Sequence, residues 1–486
     1  MGSFQSRSRL TGEIFGPTFV SATLADVDQV CKLAWSAYKQ LKAKTTSSRA
    51  DFLEICADQL NARRDEIVQA YQHETGLPEG RANGELDRTC NQLRLFARVV
   101  RDGTWLDRRV DLAIPDRKPL PKPDMRSMNR PLGPVAVLGA SNFALAFSAV
   151  GGDTASALAA GCPVVCKAHP AHPVVTSIVA EAIEAARVAS DMPVGTYAVL
   201  YDDGFEVGQA LVQHPKIRAV GFTGSRKGGL ALVQLANARP QPIPVFAEMS
   251  SVNPVFVLPE RLGSEPENLA AMIHGSVTMG VGQFCTNPGL IFLCGESGSD
   301  AFVNALGVLM TQTPAACMLT DSIEASYRSG VNRLKALGGV HSASSSEQAA
   351  LFVTDGQTFR SNETLREEIF GPCTLVVRCS SVEEATGWAA VLEGQLTATI
   401  IGTESEVASC GPLVEDLEDL AGRLLINQMP TGLEVCDATV HGGPFPATSD
   451  GRTTSVGSRA IERWTRPICY QNFPDSLLPA ELQRNR

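Results

Sequence analysis

The sequence predicts an α/β protein with two doubly wound parallel-sheet lobes and an extended arm. Three observations predict this. Between Val135 and Ala247, short apolar runs alternate with helical stretches of about 10–15 residues, the signature of βα units. After Glu248 the alternation continues at a coarser grain. Between the N-terminal helices and the first run, Arg101 to Arg130 is rich in Arg, Asp, Lys and Pro and carries no core-like face. The 486 residues exceed one ordinary domain, since about 150 residues per domain is the prior.

The elements follow in order. Ala25 to Lys42, Ser47 to Asn61, Arg64 to Thr75 and Gly84 to Val100 place apolar residues at three- and four-residue steps, which predicts helices. Val135–Leu138 and Pro163–Cys166 are strand runs around a small-residue helix, Gly152 to Ala160. His172 to Ala189 is a helix with Pro173 at its tolerant first turn. Strands at Thr196–Tyr201, Ile217–Phe222 and Pro244–Ala247 alternate with helices at Gly204–Gln213 and Ser225–Ala238. Farther on, Pro254–Val257, Gly289–Leu293 and Cys373–Arg378 read as strands, and Leu269–Met279 and Ala301–Leu309 as helices. Ser342 to Gln348 is a Ser-rich surface loop, and Arg466–Asn472 an edge strand.

Composition narrows the function classes. Hydrophobic residues at 44% and charged residues at 19% are globular values, so disorder is excluded. A net charge of -10 argues against a general nucleic-acid binder, because phosphate backbones need a positive field. The 13 cysteines form no CxxC pair, which fits a reducing, cytoplasmic setting rather than a disulfide framework. Met1 to Leu10 lacks the apolar core of a signal peptide. From Pro131 to Cys166 the only charge is Asp153, yet the glycines, serines and Asn142 make this a buried strand–loop–helix–strand rather than a membrane span. No membrane partner is expected.

The fingerprints GxGxxG and GxxxxGK[ST] are both missing. Gly221-Phe-Thr-Gly-Ser225 leads into a helix, whose free N–H groups suit a phosphate, although a plain glycine-rich turn explains the residues equally well. Cys285 sits in Gly280-Val-Gly-Gln-Phe-Cys-Thr-Asn-Pro-Gly289, where glycines and a proline can bring a thiol into a cleft. A buried, inert thiol is the alternative. Glu248 ends an apolar strand, either as a surface carboxylate or as a partly desolvated base. Asn142, in Gly139-Ala-Ser-Asn-Phe143, either closes a turn or donates to a developing oxyanion. His169 and His172 have no carboxylate or Cys partners in the sequence and read as helix-entry residues, so no metal is expected.

Taken together, these residues resemble the aldehyde dehydrogenase superfamily over roughly residues 12–475. Six matches fall in the family's order: Gly-Ala-Ser-Asn-Phe143, Val-Val-Cys-Lys167, Phe-Thr-Gly-Ser225, Glu248 on its strand, Gly-Gln-Phe-Cys285 and Glu367-Glu-Ile-Phe-Gly-Pro372. The resemblance implies an aldehyde dehydrogenase-like fold, with 1–103 and 131–248 binding the cofactor, 249–440 catalytic, and 104–130 with 441–486 serving oligomerisation. It implies Cys285 as nucleophile, Asn142 with the Cys285 backbone N–H as oxyanion donors, and Glu248 as the base that activates water. It also implies Lys167 at the adenosine ribose, Ser225 at a phosphate with Gly224 and Gly229 allowing close approach, Glu368 at the nicotinamide ribose, and Phe370 near the ring.

Departures from the family narrow the expectation. NAD-preferring relatives often carry Glu where this chain has Pro170, so no carboxylate there repels a 2′-phosphate, and Lys167 with Arg226 could attract one. NADP is therefore expected, with NAD also accepted. Met249-Ser-Ser-Val252, Gln92-Leu-Arg-Leu-Phe-Ala97, Gly103-Thr-Trp105 and His441-Gly-Gly-Pro-Phe-Pro resemble the 2,5-dioxovalerate (α-ketoglutaric semialdehyde) dehydrogenase branch, and in part the NADP-preferring long-chain fatty aldehyde enzymes. A carboxylate substrate calls for a cation. Arg88 is the candidate, on one helical face with Gln92 and Leu95, with Phe143 lining the tunnel. The arm and the Cys469 strand indicate a homodimer or homotetramer. A cofactor-free cysteine hydrolase would need a His beside Cys285, and the sequence places none.

Overall fold

The computed structural model describes residues 2–346 and 348–484 and contains two open, largely parallel sheets. The first has five strands in the spatial order Tyr197–Leu200, Val164–Lys167, Val135–Leu138, Ala219–Thr223 and Val245–Glu248. All its pairings are parallel. The chain builds outward from Val135–Leu138 to one side, then returns and builds to the other. The strand order thus reverses between Val135–Leu138 and Ala219–Thr223, and a crevice opens beyond their C-terminal ends. The Asn142 loop and the Gly224–Ser225 turn both leave the sheet at this point. The five strands lie where the apolar runs predicted them, because strands covered by helices on both faces read as continuous apolar runs.

The second sheet has seven strands, ordered His341–Ser342, Ala350–Asp355, Cys373–Cys379, Leu290–Cys294, Val255–Val257, Gln395–Ile401 and Ala421–Ile426. Only the two-residue edge strand His341–Ser342 runs antiparallel. Phe256 and Phe292 stack at 4.8 Å in its centre, both fully buried. The predicted loop Ser342–Gln348 begins on that edge strand and is irregular over 343–346; Glu347 lies outside the described residues.

The arm is a three-stranded antiparallel sheet ordered Thr465–Gln471, Met125–Pro131 and Arg109–Asp111. The predicted C-terminal edge strand is its outer member. An N-terminal hairpin, Ser3–Arg7 with Ile14–Val20, was not anticipated, because most of its side chains are exposed and leave no buried alternation to read.

Local chemistry sets the helices that carry site residues. Helix Glu79–Asp102 begins after Pro78, five residues ahead of the predicted Gly84, and ends at Gly103 in the left-handed region. Its buried face includes Leu86, Leu93, Phe96 and Val100, at helical spacing. The stretch 131–166, whose only charge is Asp153, becomes a strand, a loop, a nine-residue helix and a second strand. Among the described residues, no helix is long and apolar enough to cross a membrane.

Candidate active site

Cys285 follows a backbone turn with three consecutive left-handed residues, Gly280 (φ 57), Val281 (φ 60) and Gly282 (φ 66). Glycine takes this conformation freely, but a β-branched valine does so at a cost of order 1–3 kcal/mol. Gly282 has no alternative, since a Cβ there would lie 2.2 Å from the Gly371 carbonyl carbon. The turn is held from below by Asn253, fully buried and also left-handed (φ 49). Its Nδ2 donates to the carbonyls of Cys285 and Asn287, each at 2.9 Å, which orients the Cys285 peptide. The Asn142 side chain is 8% exposed and donates from Nδ2 to the Gln283 carbonyl at 2.9 Å. That bond uses one of two amide hydrogens and places the other beside the thiol loop.

The loop bearing Asn142 is itself anchored. The buried Glu85 carboxylate accepts from Leu145 N at 2.9 Å, Ala146 N at 3.0 Å and the Tyr71 hydroxyl at 2.6 Å. His169 and His172 stack 5.3 Å apart, and His172 Nε2 lies 3.0 Å from the Ala140 carbonyl, so this pair shapes the same loop.

Burial and then the nearby Glu248 charge push the Cys285 thiol up to about 12, while Arg88 acts in the opposite direction. The resting group is a neutral thiol that needs a proton acceptor. His441 Nε2 lies 3.3 Å from Sγ. Burial, then the Arg88, Arg423 and Arg463 charges, depress His441 to about 3, so its imidazole stays neutral, a hydrogen-bond partner of the thiol and a weak base. The sequence reading placed no His near Cys285, and the structure corrects this. A single His in a C-terminal loop, 156 residues from Cys285, has no local pattern that could reveal it.

Glu248 ends its strand 3% exposed. Desolvation is the largest influence and raises it to about 7, against the opposing Arg463 charge. Glu248 is a desolvated carboxyl group, not a surface carboxylate. Arg463 Nη2 donates to Oε1 at 2.5 Å, whereas Oε2 is buried without a hydrogen-bond partner among the described residues.

Arg88 reaches the same chamber from the helix Glu79–Asp102. Its guanidinium lies 4.9 Å over the Phe147 ring and 5.9 Å from the Phe143 ring. Nε and Nη2 are buried with no partner among the described residues. Arg81, two turns earlier, sits 4.3 Å over Phe143 and 4.6 Å over Phe284. Phe143 is 6% exposed and packs edge-on against both Phe147 and Phe284. Arg94, six residues after Arg88, pairs instead with Asp58 at 2.9 Å.

At the crevice, Ser225 caps the helix Arg226–Asn237, accepting from Gly228 N at 3.2 Å. The N–H groups of a helix's first turn lack acceptors within the helix, which is the general condition for an anion site. Lys167 Nζ donates to the Asp202 carbonyl at 2.6 Å. Glu368 is half-buried, with desolvation raising it to about 7. It lines a cavity of about 550 Å³ together with Ser250, Arg226 and Glu393, and Phe370 lines an adjoining one with Glu368. These residues fit a nicotinamide dinucleotide. Two readings change. Gly229 leaves room for Met249, whose Sδ a Cβ would meet at 2.7 Å, so its role is helix–sheet packing. Arg226 forms a two-pronged pair with Glu393 at 2.6 and 3.0 Å and is not a free cation for a 2′-phosphate.

The aldehyde dehydrogenase family model matches residues 2–465. The chain belongs to the aldehyde dehydrogenase family. This aldehyde dehydrogenase is 49% identical over 480 residues to α-ketoglutaric semialdehyde dehydrogenase 2 of Azospirillum brasilense, covering 97% of this chain and 91% of that one. It is 46% identical over 477 residues to the α-ketoglutaric semialdehyde dehydrogenase of Acinetobacter baylyi, covering 96% and 90%. Its fold superposes on the NAD+ complex of an aldehyde dehydrogenase from Bacillus cereus with a TM-score of 0.81 at 21% identity, covering 97% and 93%. As an aldehyde dehydrogenase it is an oxidoreductase acting on aldehydes. In this aldehyde dehydrogenase, Cys285 is thus flanked by His441, while Glu248 is held by Arg463.

Proposed function

We propose that this aldehyde dehydrogenase oxidises 2,5-dioxovalerate (α-ketoglutaric semialdehyde) to 2-oxoglutarate, with NADP preferred and NAD accepted. The observation that carries the substrate is Arg88, a buried guanidinium with free donors beside the thiol. An unpaired buried charge is costly, and a substrate carboxylate would pair it with two parallel charge-assisted bonds. The names of the two relatives above support the same reading.

The aldehyde enters with its carboxylate on Arg88 and its carbonyl carbon at Cys285. The thiol, hydrogen-bonded to His441 Nε2, gives up its proton to solvent as the S–C bond forms, and the carbonyl oxygen becomes an oxyanion held by the second Asn142 N–H and the Cys285 backbone N–H. NADP, when bound across Ser225, Lys167 and Glu368, would accept the hydride that leaves this carbon. Cys285 then carries a thioester. Glu248 Oε2 takes a proton from water as its oxygen bonds the acyl carbon, and the C–S bond breaks to release the acid and the thiolate. Phe143, Phe147 and Phe284 keep bulk water from the chamber. The absence of a carboxylate at Pro170, with Lys167 nearby, supports NADP.

The exposed edge Arg109–Asp111 and the exposed Val110, Leu112, Ile114 and Leu120 support a homodimer or homotetramer built through the arm. Free cysteines at all 13 positions support a cytoplasmic setting.

The test is the initial rate of NADP reduction with 2,5-dioxovalerate and with a long-chain aldehyde at equal concentration, using Cys285→Ala as the blank. Preference for the dioxo acid, absent in the blank, is the expected result. Preference for the long-chain aldehyde would retain the enzyme class and overturn the carboxylate pocket.

A further inference from the structure

Three ionisable side chains meet beneath the thiol chamber, and the catalytic scheme above uses only one of them. Arg463, on the helical turn Ser458–Trp464, is 1% exposed at its side chain. It donates to Glu248 Oε1 at 2.5 Å and to Asp153 Oδ1 at 3.2 Å, while its Nε donates to Thr453 Oγ1 at 3.1 Å. Its guanidinium lies 5.5 Å from the Phe246 ring. Asp153 stands on the first turn of the helix Gly152–Ala160, on a different element from both partners. The sheet makes room for it: a Cβ on Gly221 would sit 2.6 Å from Asp153 Oδ2. The contact is therefore built, with one position on the strand Ala219–Thr223 kept empty of side chain.

One buried guanidinium cannot neutralise two buried carboxylates. Ionised together, the two carboxylates carry one negative charge more than the guanidinium can balance, so they compete for the cation, and the Asp153 charge raises the pH at which Glu248 ionises. We propose that Asp153 and Arg463 are positioning residues that grip one oxygen of Glu248 and set the basicity of the other. The inference rests on Glu248 being the base of the thioester-hydrolysis step. Arg463 fixes Oε1, which leaves Oε2 as the oxygen that meets water. Asp153 draws away part of the guanidinium and adds its own negative charge, so Glu248 holds a proton more tightly than it would on Arg463 alone. Other charged or titratable groups nearby are Cys285 from the thiol loop, and His441 and Asp450 from the C-terminal segment, both of which feel the Arg463 charge. The thiol and the imidazole are neutral and Asp450 pairs with Arg452, so Arg463, with Asp153 on its other arm, is the charge that touches Glu248 directly.

The sign follows. Removing the Asp153 charge gives Glu248 the whole guanidinium and removes a like charge, which lowers the pH at which it ionises. Arg463→Lys keeps the charge but cannot fork between two carboxylates, which raises that pH. The experiment follows the pre-steady-state burst of reduced cofactor and the slower post-burst rate across acid to alkaline pH, in wild type, Asp153→Asn, Arg463→Lys and Glu248→Gln. The burst reports Cys285 acylation, and the later phase reports hydrolysis. Asp153→Asn should move the acid limb of the post-burst rate down by on the order of one pH unit while keeping a burst, and Arg463→Lys should move it up. A merely structural role would alter stability or amplitude without moving the limb. If Asp153→Asn does not fold, Arg463→Lys carries the same readout. A limb unmoved in the folded variants, with Glu248→Gln abolishing the post-burst rate, overturns the positioning role and leaves the base intact. A wild-type post-burst rate in Glu248→Gln overturns the base itself.

Discussion

Replacing Arg88 by leucine separates two jobs that one guanidinium performs. Its Nε and Nη2 are already desolvated and have no partner among the described residues, so a bound carboxylate gains charge-assisted bonds without a further burial cost to the protein. Such bonds contribute about 1.5–3 kcal/mol. At about 1.4 kcal/mol per factor of ten, that is a loss of roughly 10- to 150-fold in kcat/KM for 2,5-dioxovalerate, mostly in KM. The same cation also favours the Cys285 thiolate, and this part of the loss falls on every aldehyde. Pentanal, of the same chain length but uncharged, measures that common part, and the ratio of the two losses isolates the carboxylate. Thermal unfolding is the control. Leucine against Phe143 and Phe147 removes a buried unpaired charge, so the variant should melt no lower than wild type. Equal losses for both aldehydes would refute the pocket and reduce Arg88 to a neighbour of the thiol.

Other outcomes follow from the same geometry. His441→Asn should slow the burst phase by roughly 2- to 10-fold, the worth of one hydrogen bond to the thiol, and should slow alkylation of Cys285 in parallel. Because His441 is depressed to about 3, the wild-type burst should show no inflection near the ordinary imidazole value of 6.5. Gly282→Ala combines a left-handed φ with a backbone clash and should lower stability by about 2–4 kcal/mol in urea unfolding. Lys167→Ala should raise KM for NADP roughly tenfold more than KM for NAD, and equal effects would refute its role at the 2′-phosphate.

Much of the first lobe was legible because its signals are local. A buried parallel strand must be apolar along its length, and five such runs spaced by helical stretches admit few folds. The setting of Cys285 was legible for the same reason, since Gly280, Gly282 and Gly289 crowd one short loop. The second lobe was read only at a coarse grain. Gln395–Ile401 and Ala421–Ile426 went unread because Thr, Gly and Arg interrupt their apolar pattern, and the neighbouring strands complete them. Gly229 was misread for a related reason: a glycine beside a phosphate and a glycine beside Met249 look identical in sequence.

The sequence by itself determined the alternation of strands and helices, the strained loop that carries the thiol and the family to which the chain belongs. These depend on residues within a turn or two of one another. Tertiary structure alone decided what surrounds the chemistry. His441 meets Cys285 across 156 positions, and Arg463 meets Glu248 across 215. Neither pair has a periodicity or a spacing, because both are made by the C-terminal segment folding back over the crevice. The charge state of each group follows from that closure. Burial raises Glu248 and Cys285 and lowers His441, and that burial exists only in the folded chain.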